Sequence, residues 1–165
     1  MLCGSRLTQI ALVVALASAS IPPQDRTAEL RSRFSRETDP VHKAKLLPRL
    51  ADSEFREIHS LLAAENLTEA ARVAGQLADE AQTAVDVLDS KGRDPERHPE
   101  GYKQVEFSVR GSLRRIDEIL VGLSADDQPP FLPARAKLKG LEQQLIRDLF
   151  PRRPDSPPAP AERKS

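Results

Sequence analysis

Cysteine is almost missing from this chain: Cys3 is the only one among 165 residues, and it lies ahead of an apolar run near the amino terminus. A disulfide framework within the chain is excluded, and so is a cysteine-ligated metal cluster. Tryptophan is absent and aromatic residues make up 4% of the chain, too few for an aromatic ligand cage. The seven glycines form no Gly-rich loop, so nothing indicates a phosphate cradle. Neither sign of charge prevails. Lys plus Arg and Asp plus Glu both number 25, which argues against a nucleic-acid-coating protein and against a polybasic membrane binder. What remains is a chain of one-domain length whose 39% hydrophobic content is too high for disorder throughout.

The amino terminus reads as an export leader. Arg6 supplies a basic start, Ile10 to Ala17 form a short apolar run, and Ala17-Ser18-Ala19 matches the small-x-small cleavage pattern. Residues 1–19 are therefore expected to be a signal peptide, cut after Ala19. The run is about half the length of ~20 residues that a membrane span needs, so no stable span is expected after cleavage. The cut would remove Cys3 and one basic residue, Arg6, leaving 24 basic against 25 acidic side chains.

The body predicts an all-α fold. Residues 20–38 form a polar segment with a short helix around Thr27 to Arg36, in which Leu30 and Phe34 share a face. Asp39-Pro40 reads as a helix cap followed by a first-turn proline. Val41, Ala44, Leu47, Ala51, Phe55, Ile58 and Leu62 then recur at helical spacing, with Pro48 expected to kink that helix or break it. Asn66-Leu67-Thr68-Glu69 is a turn and helix start. The run Leu67, Ala70, Ala74, Leu77, Ala81, Ala84, Leu88 is a heptad seam of coiled-coil type, and the small residues, with Gly75 beside them, predict close approach of a partner helix. Gly92 suits the helix end, and Arg93 to Pro99 form a connector. A third helix starts near Glu100 with the face Tyr102, Val105, Val109, Ser112, Ile116, Ile119 and Leu123. After a turn over Ser124 to Pro130, capped by Asp126 or Asp127, the last helix presents Ala134, Leu138, Leu141, Leu145 and Leu149. The expected architecture is two antiparallel hairpins, 39–92 and 99–150, forming a four-helix bundle, with 151–165 a disordered Pro-rich tail. Phe55-Arg56-Glu57-Ile58 and Leu113-Arg114-Arg115-Ile116 align as in a duplicated hairpin, a pattern that generic helical periodicity also produces.

Chemistry-bearing motifs are few. His42, His59 and His98 form no HExxH or ExxH pair, the spacings that bring ligands onto one helix face. His59 is the best single candidate for a ligand or base, against the plainer reading of a boundary histidine packed on Phe55. G-x-S-x-G is absent. The adjacent acids Asp79-Glu80, Asp117-Glu118 and Asp126-Asp127 are expected to face solvent. Arg31, Arg33 and Arg36 cluster, as do Arg110, Arg114 and Arg115; acids nearby favour a solvated mixed face over a site for an anionic polymer or lipid head group. Asn66-Leu67-Thr68 matches a glycosylation sequon, which matters only in a eukaryotic secretory pathway, whereas the Ala/Arg-rich composition looks bacterial. No residue is assigned as catalytic, cofactor-binding or metal-binding, and no cofactor is expected.

The stretch Asp39 to Leu88, with its Asp-Pro start, Glu-Asn-Leu-Thr-Glu-Ala turn and Ala-rich second helix, resembles uncharacterised exported bacterial helical-hairpin proteins of unknown function, and residues 98–120 are similar to the second half of such proteins. That resemblance implies a fold and export, with no activity attached. The expectation is thus a secreted, periplasmic or extracellular, non-enzymatic helical protein of the cell envelope acting through protein–protein contact, with an envelope protein or a second copy as partner. The alternative is a small-ligand or metal-binding periplasmic bundle, with His59 and nearby carboxylates as first suspects.

Overall fold

The computed structural model describes residues 23–92 and 94–151. The leader expected at 1–19 and nearly all of the tail expected at 151–165 lie outside them. Among the described residues there are five α-helices and no strand: α1 (Pro23–Arg36), α2 (Pro40–Ala63), α3 (Leu67–Ser90), α4 (Glu100–Gly122) and α5 (Leu132–Leu149), with one turn of 3-10 helix at Pro129–Phe131. None of these helices is long and apolar enough to cross a membrane.

Local chemistry sets the boundaries. The Asp39 carboxylate accepts the His42 backbone N–H at 2.7 Å and caps α2, and the Asn66 side chain accepts that of Glu69 at 3.3 Å to cap α3. Between them the turn closes as a Schellman motif: the Asn66 N–H reaches back to Leu61 O and the Glu65 N–H to Leu62 O. Gly92, at φ 62°, takes the left-handed position after α3, as its place in the sequence predicts. Pro48 does not break α2, which runs through it from Pro40 to Ala63. α1 starts a turn earlier than predicted, at Pro23. The starts of α2 and α4 are not alike, because Pro99 itself occupies the cap position of α4 and no side chain caps it. Asp126 and Asp127 do not cap the last helix either: Asp127 accepts the Ser124 hydroxyl at 2.6 Å, and Phe131 precedes α5.

α3 is the central element, packed against α2, α4 and α5. Its buried arc is wider than a two-helix seam: Val73, Ala78 and Val85 are enclosed as fully as Ala70, Ala74 and Leu88. Close approach does not occur at Gly75, where an added methyl would meet nothing within 4 Å. It occurs at Gly101, whose missing side chain makes room for Leu88 of α3. α2 packs on α3, α4 and α1, and α4 packs on α5. Two ion pairs fix the last contact as antiparallel, since Arg110 meets Glu142 and, seven residues further along α4, Asp117 meets Arg135 seven residues earlier on α5. α1 is joined to this frame through Phe34, 3% exposed, and through a set of polar contacts.

Candidate functional site

Those polar contacts form the most unusual chemistry in the protein. Glu54 falls in the apolar stripe of α2, one turn from Leu50, Ala51 and Ile58, and is wholly buried. Arg31 of α1 donates from Nε to Glu54 Oε1 at 2.9 Å and from its terminal nitrogen to Glu57 Oε2 at 3.2 Å; Glu80 Oε1 of α3 lies 3.9 Å from the same Nε. The second oxygens, Glu54 Oε2 and Glu80 Oε2, are both buried without another partner. Two buried carboxyls whose oxygens lack partners disfavour being ionised at the same time. Burial, and then the charge of Glu80, push the Glu54 carboxyl up to about 8 against the pull of Arg31. Glu80 is raised as well, chiefly by burial, while hydrogen bonds from Glu54 and Gln76 and the charge of Arg31 pull the other way. Burial beside Glu80 thus favours the protonated form of Glu54.

Two further contacts bind α1 beside this cluster. Thr27 and Ser53, both buried, share a hydrogen bond of 2.8 Å. The Lys43 ammonium donates to the carbonyl of Phe34 at 2.8 Å and stands 4.6 Å from that ring's centroid. Burial pushes this ammonium below its ordinary value, partly offset by Glu37. A groove of about 410 Å³ opens next to them, lined by Arg31, Phe34, Lys43, Gln76 and Glu80 among others. The arrangement clasps three helices.

None of this was assigned from the sequence. Arg31 was grouped with Arg33 and Arg36, yet it turns inward while they are exposed. Asp79-Glu80 was expected to face solvent, yet only Asp79 does, meeting Lys137 at 2.5 Å. The signal was available in register: Glu54 interrupts an otherwise apolar face, and Arg31 lies between Thr27 and Phe34 on one face of α1. The histidines fare differently. His42, His59 and His98 are all exposed. The Phe55 ring lies under the Arg115 guanidinium, 3.9 Å from its centroid, and Arg115 also donates to Asp52 at 2.8 Å. Among the described residues no group of three or more His, Cys, Asp or Glu is placed to hold a metal ion.

A second feature lies on the outside of α4 and α5. The exposed large apolar side chains of the described residues, Phe107, Val121, Leu132, Ile146 and Phe150, all belong to these two helices or immediately follow them. Phe107 is 70% and Val121 88% exposed. The groove between the helices is rimmed by charge that is already paired: Arg110 with Glu106 and Glu142, Asp117 with Arg135, Arg114 with Glu118. Arg110, Arg114 and Arg115 thus form no free basic face, because two are neutralised in place and the third points to α2. Val121 and Leu132 line a depression at one end of the groove, with Gln128 and Leu120 beneath them. No protein-family model matches the chain, and comparisons with curated proteins and with solved structures find no similar one.

Proposed function

We propose that this chain is an exported, non-enzymatic helical protein of the cell envelope that acts through protein–protein contact, and that the contact surface is the outer face of α4 and α5. The finer architecture belongs to the same reading: hairpins 39–92 and 99–150 form a four-helix bundle, to which α1 is clasped as a fifth helix. The observation that carries the reading is the confinement of Phe107, Val121, Leu132, Ile146 and Phe150 to that one face. Exposed apolar side chains gathered on one face suit a protein partner. Export rests on Arg6, the Ile10–Ala17 run and Ala17-Ser18-Ala19.

The test is crosslinking of tagged protein in its native envelope, with photoreactive groups at Lys103 and Lys139 on that face, followed by mass spectrometry. A reproducible set of crosslinked proteins that disappears in the Phe107→Asp, Phe150→Asp variant is expected, and the mature protein should begin at Ser20. Crosslinks indifferent to that double change would overturn the assignment of the surface. A second reading, a small-ligand site, is favoured by the groove beside Arg31, Lys43 and Glu80. It requires a melting temperature raised by a small polar ligand and unmoved in the Lys43→Met variant.

A further inference from the structure

We propose that the partner of the α4–α5 face is a second copy of this chain, paired about a twofold axis that runs along the groove between the two helices. The inference rests on the reading of this face as a contact surface and names what covers it.

The argument begins with register. Arg110 with Glu142 and Asp117 with Arg135 show which residues of α4 and α5 stand at equal height across the groove. One turn outward from the first pair, Phe107 stands level with Ile146, and Phe150 lies a turn beyond. One turn outward from the second pair, Val121 stands level with Leu132, and both line the depression there. The face is thus a ladder, with apolar rungs at both ends and two oppositely charged rungs between them.

A twofold axis along the middle of such a ladder lays the α4 side of one copy over the α5 side of the other without changing height. Each residue then meets the residue its own neighbour already faces, the self-complementary condition of an isologous interface. Phe107 comes over the partner's Ile146, and Val121 over the partner's Leu132. Arg110 comes over the partner's Glu142, and Asp117 over the partner's Arg135. Every intramolecular pair across the groove is repeated between copies, so the charges become a four-membered alternating set in place of an isolated pair. Arg114 over the partner's Lys139 is the one meeting of like charges on these rungs, and Glu118, 3.7 Å from Arg114, neutralises it. Two chains with 24 basic and 25 acidic side chains each after cleavage approach with little net repulsion.

The same geometry designs its own test. Arg110→Glu makes the first charged rung wholly acidic, and Glu142→Arg makes it wholly basic. Each variant alone is expected to lose self-pairing, with a dissociation constant raised about tenfold or more. Mixed in equal amounts, the two are expected to recover the dimer mass in sedimentation velocity, since acid rungs then meet basic ones. Far-UV circular dichroism checks that both remain helical, and Phe107→Asp, a charge placed on an apolar rung, provides a control that neither partner rescues. A wild-type chain that stays monomeric at every concentration would overturn the proposal, as would variants that pair as well alone as mixed. Monomeric protein that co-sediments with anionic phospholipid vesicles would also overturn it, and would assign the face to a membrane surface. If the chain is monomeric while Phe107-dependent crosslinks to another protein persist in the envelope, self-pairing fails and the contact reading stands.

Discussion

Glu65 sits where the turn between α2 and α3 needs a left-handed residue, with φ at 56°. A side chain there costs about 1–2 kcal/mol, of which glycine's greater freedom in the unfolded chain returns about 0.5–1 kcal/mol. Glu65→Gly is therefore expected to stabilise the protein by about 1 kcal/mol, read as a higher denaturation midpoint at unchanged slope. Gly101 makes the opposite case. A methyl added there would stand 2.5 Å from Leu88 Cδ2, and Leu88 is fully buried. Overpacking at that contact should cost about 1–3 kcal/mol despite alanine's better helix propensity. Combining Gly101→Ala with Leu88→Ala should show a non-additive recovery, because the second change removes the obstructing atoms. Equal and additive losses would mean that the contact is not the cause.

The clasp of α1 is an effect of elements, since it needs one residue from each of three helices. Glu54 is held near 8 when folded against 4.5 ordinarily, so the folded protein binds this proton more tightly than the unfolded chain does. Stability from that proton is complete below about pH 4.5 and is lost as pH rises towards 8. The expected loss is at most on the order of 5 kcal/mol. Glu54→Gln keeps a donor towards Glu80 and an acceptor for Arg31 without a titrating proton, so subtracting its pH–stability curve from the wild type should isolate the slope. A difference that is flat between pH 5 and 8 would rule out the raised Glu54 carboxyl. The sequence made the helices legible because Ala44, Leu47 and Ile58, or Val105, Val109 and Ile116, keep one period over many turns. The clasp is harder to read, because only the register of Glu54 and Arg31 marks it and Glu80 looks like an ordinary solvated charge until a third helix covers it. The outer face is hidden for a related reason: Phe107 and Ile146 fall outside the apolar stripes of their helices, and only the α4–α5 register sets them level.

At the scale of the whole molecule, apolar burial is spread unevenly. α3 is enclosed by three helices, whereas α1, among its described side chains, buries Thr27 and Phe34, packs the partly buried Leu30 on the core and adheres through Arg31 and the Lys43 ammonium at its carboxyl end. The consequence concerns time. α2 and α3 meet across a three-residue turn and bury apolar surface as soon as both exist, but the α1 clasp closes only after Glu54 and Glu80 are already together. α1 should accordingly fold last and open first, as a unit, while the remaining helices stay closed. Native-state hydrogen exchange is expected to show the α1 amides sharing one opening free energy well below that of α3. That α1 opening free energy should fall as pH rises towards 8 and the Glu54 proton is lost. The helix nearest the amino terminus would then be the last part of the chain to commit to the fold and the first to leave it, on a schedule set by a proton.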